Sequence, residues 1–86
     1  MKYLIESPHT NEECLAALDE TLARGQDNLA AWSWSCKTGE HCGYALLEAA
    51  NEAEARSLVP RIVRARARIH AVTPITAKEI ERFHRM

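Results

Sequence analysis

The chain contains no Cys-x-x-Cys or His-x-x-x-His spacing, no long apolar run, and only three glycines and three prolines among its 86 residues. So little glycine and proline excludes a collagen-like or low-complexity chain. No segment approaches the ~18–20 consecutive apolar residues of a membrane-crossing helix. The opening MKYLIESPH has three apolar residues before a glutamate, too short a run for a signal peptide, so a cytoplasmic location is the default expectation. Three cysteines are an odd number, so they cannot close a disulfide framework within one chain. Cys36 and Cys42 could pair across a turn and leave Cys14 free, but free thiols are the simpler reading in a reducing compartment.

What is present suits one small globular domain spanning residues 1–86. Hydrophobic residues make up 47% and charged residues 27%, which is ordinary for a folded chain. A domain this size buries only roughly 60–65% of its unfolded surface, so covering one further apolar face would help it. The net charge of −1 conceals a split. Residues 1–50 carry Lys2, Arg24 and Lys37 against eight acids, while residues 51–86 carry eight bases against four acids. The two halves are expected to face one another in the fold or across a dimer.

KYLIES reads as a short strand. Thr10 and Glu13 form a capping box. Cys14, Leu15, Leu18 and Leu22 then recur at helical spacing, and Gly25 stops a helix over residues 11–24. NLAAWSWSC alternates, which predicts a strand over residues 28–36 with Trp32 and Trp34 on one side. KTGE turns the chain, and residues 41–49 return as a strand with Cys42, Tyr44, Leu46 and Glu48 on one face. Asn51 and Glu54 open a second helix, which Pro60 ends. Residues 67–73 read as the last strand. Thr76 and Glu79 cap a terminal helix, with Ile80 and Phe83 expected to point inward.

This order predicts an α+β fold: a ferredoxin-like βαββαβ sandwich with an antiparallel four-stranded sheet, order 4-1-3-2, plus a C-terminal helix. Helices cover one face of such a sheet, and Gly43, Ala45 and Ala49 suit that face. The other would then expose Trp32, Trp34, Tyr44 and Leu46, a patch that monomers rarely keep. A two-fold homodimer is the expected remedy.

The run HCGYALLEAANEAEA resembles an H-x-G-[W/Y]-A-[L/I]-[V/L]-E-A segment, followed by an acidic helix, of small bacterial proteins. Those are similar to the dimeric α/β-barrel superfamily, in which two ferredoxin-like units pack sheet to sheet. The specific part of the resemblance covers about residues 32–60. It implies the fold and the homodimer. It carries over no catalytic residue, because no one branch's catalytic motif is matched.

Topology gathers the candidate chemistry. His9 follows the first strand, Cys36 ends the second, and His41 and Cys42 begin the third. Cys14 lies early in the first helix and His70 in the last strand, so all are expected at one end of the sheet. Cys36, His41 and His9 are the first candidates for a transition metal such as zinc, nickel or copper. Cys36 beside His41 or Lys37 could instead be a nucleophile. A third reading places a small-molecule pocket between the sheets, walled by Trp32, Trp34 and Tyr44, with Glu48 moving protons as in a cofactor-free monooxygenase or isomerase. A fourth is a dimeric interaction module with no ligand. The basic run RIVRARAR lacks aromatic interleaving, so its arginines are expected to pair with the acidic half and nucleic acid is not an expected partner.

Overall fold

The computed structural model describes residues 1–86. Four strands, β1 (Lys2–Pro8), β2 (Trp32–Trp34), β3 (Cys42–Glu48) and β4 (Arg68–Val72), form one antiparallel sheet in the order β2-β3-β1-β4. From the other edge this reads β4-β1-β3-β2. Four helices accompany it: α1 (Cys14–Ala23), α2 (Gln26–Ala30), α3 (Glu52–Ser57) and α4 (Ala77–His84). Short 3-10 turns span Cys36–Thr38 and Arg61–Arg66. No helix is long and apolar enough to cross a membrane.

Strand β1 alternates between buried and accessible residues, with Tyr3, Ile5 and Ser7 inward. Opposite them stand Leu47, Ala45 and Gly43 of β3. Tyr3, Ile5 and Ala45 join Val59, Val63, Ala55 and Ala67 in a core between the sheet and α3 with its following turn, and Leu47 packs against it. Asn51 accepts a hydrogen bond from the Glu54 amide and fixes the start of α3. Pro60 then turns the chain into Arg61–Arg66. The basic run is largely occupied within the chain. Arg64 donates to the Ser57 and Val59 carbonyls, Arg66 pairs with Glu13, and Arg68 pairs with Glu6.

Four expectations are corrected. Residues 28–30 belong to α2 rather than to a strand, and β2 is only three residues long. The helix α1 buries Ala17 and Thr21, whereas Leu15 and Leu22 are exposed. Small residues fill the buried side of this helix, and Thr21 satisfies its hydroxyl on the Ala17 carbonyl. The tryptophans lie on the helix-covered face, because Trp32 is opposite Ala45 and Trp34 opposite Gly43. Large rings there fill the space that glycine and alanine leave, and a register differing by one residue inverts every side chain. Trp32 is 4% exposed. Burying its roughly 200 Å² contributes up to about 5 kcal/mol.

The last correction concerns α4. Its Thr76–Glu79 capping box forms as expected, but Ile80 and Phe83 are about half exposed and none of its residues is buried. The helix therefore stands off the body. The radius of gyration is 15.5 Å, against about 12 Å for a compact chain of this length. On the sheet face away from the core, Leu4 and Leu46 are exposed beside Tyr44, Glu6 and His70.

A candidate metal centre at one end of the sheet

Backbone pairing beyond the strand ends assembles this region. The His9 amide donates to the His41 carbonyl at 3.0 Å, extending the β1–β3 ladder past Pro8 and Cys42. That places the two imidazoles side by side, ring centroids 5.5 Å apart. The Ser35 amide donates to the Cys42 carbonyl at 3.0 Å, and the Ser35 hydroxyl donates to the Glu40 and Cys42 carbonyls. Ser35 thereby closes the turn and sets Cys36 at its start. On the other side, Thr10 and Glu13 make the reciprocal hydrogen bonds of a capping box. The Cys14 amide meets the Asn11 carbonyl, and Cys14 opens α1.

The result is a four-residue cluster of His9, Cys14, Cys36 and His41, whose potential ligand atoms all lie within 4.8 Å of one another. Cys14 Sγ is 3.4 Å from Cys36 Sγ, and Cys36 Sγ is 3.4 Å from His9 Nε2. Zinc bonds of about 2.3 Å to sulfur and 2.0–2.1 Å to nitrogen give tetrahedral edges of about 3.8 Å for S–S, 3.5 Å for S–N and 3.3 Å for N–N. The two measured edges match within about 0.4 Å, and a pair at the 4.8 Å limit would close by roughly 1–1.5 Å on binding. Nδ1 of His41 is buried without a hydrogen-bond partner in the protein, a hydrogen-bonding capacity that folded chains seldom leave unmet.

The electrostatics hold His9 in its ligating form and leave the Cys36 thiol protonated. Burial, opposed by a Ser7 backbone hydrogen bond and reinforced by the neighbouring His41, holds His9 below its ordinary value of 6.5. Its imidazole is therefore neutral near pH 7, the form that ligates. Burial pushes the Cys36 thiol above 9.0, and its hydrogen bond with Cys14 adds to this. A bound cation would reverse that preference by holding both sulfurs deprotonated. Beside the cluster, Glu13 is held down to about 2 by its hydrogen bond with Arg66, helped by the Thr10 amide.

The three expected ligands Cys36, His41 and His9 thus come together, and Cys14 joins them. Its position at the start of α1, behind a capping box, was the available signal. Cys42 and His70 do not join. Cys42 is buried with its thiol directed at the Gly43 carbonyl. His70 lies on the sheet face away from the core, 2.7 Å from Glu6, because its register places it opposite Leu4. The expected aromatic pocket is divided. Trp32 and Trp34 border a cleft of about 400 Å³ that also touches Leu18, Cys36 and Lys37. Tyr44 instead borders a shallow hollow on the opposite face with Leu4 and Leu46. Glu48 is exposed and meets the Met1 amino group at 3.2 Å, so it belongs to neither.

No protein-family model, no curated protein and no solved structure matches the chain.

Proposed function

We propose that this protein binds a transition metal ion, zinc above all, through His9, Cys14, Cys36 and His41. The observation that carries the reading is the convergence of four ligand atoms within 4.8 Å from four separate stretches of chain. Two thiolates and two neutral imidazoles are a preferred zinc set, and four protein ligands describe a closed structural site rather than a catalytic one with an open position. Such an ion ties the end of β1, the start of α1, the turn after β2 and the start of β3 together. In a domain this small its binding energy becomes folding energy.

The strand order and the placement of α1 and α3 support reading the fold as ferredoxin-like. The exposed Leu4 and Leu46 on the sheet face away from the core support a two-fold homodimer packed through that face.

The test is metal content of untagged protein purified under reducing conditions, measured alongside native mass. The expected result is one zinc ion per chain, retained in Cys42→Ser and lost in Cys36→Ser and His41→Ala. Equal metal content in all four proteins, or none in the wild type after zinc addition, overturns the proposal.

A further inference from the structure

The same geometry points to a reversible disulfide modification site: Cys14 and Cys36 are a dithiol that a peroxide oxidises to an intrachain disulfide, ejecting the metal. The bond itself rests on the contact between the two sulfurs and on an oxidant, not on the metal. Its consequence for the metal rests on the reading of the cluster given above.

Three features carry this inference. The two sulfurs are already in contact at 3.4 Å, so a disulfide of about 2.05 Å needs an approach of roughly 1.3 Å, within reach of side-chain rotation. Neither thiol is fully enclosed, for Cys14 and Cys36 are both partly accessible. Cys36 also borders the cleft formed by Leu18, Trp32, Trp34 and Lys37, which gives a small oxidant a route to the sulfur. The third thiol is separated from this chemistry, since Cys42 is buried with its sulfur directed at the Gly43 carbonyl. The site thus selects one of the three possible pairings.

The reaction balances with hydrogen peroxide as the oxidant. One thiol attacks a peroxide oxygen, the O–O bond breaks, and a sulfenic acid and one water result. The second thiol then attacks the sulfenic sulfur, the S–S bond forms, and the hydroxyl leaves as a second water. Two thiols lose two electrons and two protons in total, and the peroxide gains them. In the metal-free protein His9 Nε2, 3.4 Å from Cys36 Sγ, is placed to take a thiol proton. From the metal-bound form the sulfurs react as thiolates and solvent supplies the two protons that leave in water. Joined sulfurs are no longer thiolate donors, and two imidazoles alone form a much weaker site. A thiol reductant reverses the step.

The experiment treats full-length protein, metal-free and zinc-loaded, with hydrogen peroxide, then alkylates free thiols and maps peptides by mass spectrometry. A chromogenic chelator follows zinc in parallel. The expected result is a peptide pair joined through Cys14 and Cys36, with Cys42 alone of the three cysteines alkylated. Zinc release should track formation of the link, and reductant should restore binding. The variant Cys42→Ser should behave as wild type, whereas Cys14→Ser should form no intrachain link. A Cys36–Cys42 link, or oxidation to sulfinate without a link, overturns the inference even where zinc binds normally. A Cys14–Cys36 link in a protein that never takes up zinc supports the disulfide and sinks the metal reading instead.

Discussion

Replacing Gly43 by alanine tests the packing that seats the tryptophans beside the cluster. A Cβ at Gly43 would lie 2.8 Å from Trp34 Cζ3, 3.0 Å from Trp34 Cε3 and 3.3 Å from Trp32 Cε3. Carbon atoms pack best at about 3.5–4.0 Å, so the Trp34 ring must retreat by roughly 0.7 Å. Its neighbours on two sides must shift with it unless it moves toward the cleft that it borders. Trp34 stacks on Trp32 at 5.8 Å between centroids and meets the His9 ring at 6.0 Å. Overpacking of this kind costs about 1–3 kcal/mol, and the entropy lost from the unfolded glycine returns roughly 0.4–1 kcal/mol. The net expectation is a loss of about 1–2 kcal/mol, or a melting temperature lower by roughly 5–15 °C in a domain of this size. Urea unfolding in the presence of chelator, followed by circular dichroism, measures it without a contribution from metal. Fluorescence reports the site directly, because Trp32 and Trp34 are the only two tryptophans. Combining Gly43→Ala with Trp34→Phe shortens the obstructing ring, so the double variant should lose less than the sum of the two single changes. A Gly43→Ala protein as stable as wild type, with unchanged fluorescence, would refute the assignment of Trp34 to the face of Gly43.

Further outcomes follow from other contacts. Asn51→Ala removes the side-chain cap on Glu54 and should cost about 1 kcal/mol in the same urea assay. Carboxyl resonances should titrate Glu13 at about 2, and Arg66→Gln should return it toward 4.5. Because the folded value is depressed, this pair's contribution to stability is complete above pH 4.5 and is lost as pH falls toward about 2. Oxidising the Cys14–Cys36 pair, whose members are 22 residues apart, should stabilise the metal-free Cys42→Ser protein by about 3 kcal/mol over its reduced form. Leu46→Glu, on the exposed sheet face, should convert the proposed dimer to a monomer in native mass spectra while retaining the metal.

Much of the fold was legible because local signals agreed with the tertiary outcome. The capping pairs Asn51–Glu54 and Thr76–Glu79 mark the starts of α3 and α4, and alternation in KYLIES and CGYALLE marks two central strands. Side-chain direction at β2 was not legible. Alternation says that Trp32 and Trp34 share a face but not which one, and that choice depends on pairing across the turn from Ser35 to His41. The inward assignment of Ile80 and Phe83 failed for a related reason. Amphipathic spacing identifies an apolar face and says nothing about whether the same chain covers it. The buried side of α1 was not legible, because Cys14, Ala17, Leu18 and Thr21 are as helically spaced as the leucines, and the side that is buried carries Ala17 and Thr21.

The site was legible through topology rather than motif. No ligand spacing in the sequence resembles a zinc framework, yet strand order brings His9, Cys36 and His41 to one end of the sheet. Cys14 shares that end of the sheet, but the capping box of Thr10 and Glu13 gives only its place at the start of α1, and its approach to the other ligands depends also on tertiary contacts. One of these is the Arg66–Glu13 pair, 53 residues apart in sequence. The nucleophile reading gains no support from the surroundings of Cys36. The residues near Cys36 that could have lowered its pKa are outweighed by burial and by a second thiol.

X-ray absorption at the zinc edge, on protein loaded with one equivalent of zinc, tests the central claim most directly. The account predicts a four-coordinate ion with two sulfurs at about 2.3 Å and two imidazole nitrogens at about 2.0–2.1 Å. Cys14→Ser and His41→Ala should each remove one scatterer of the matching kind. A shell of oxygen and nitrogen alone, unchanged in both variants, would contradict it.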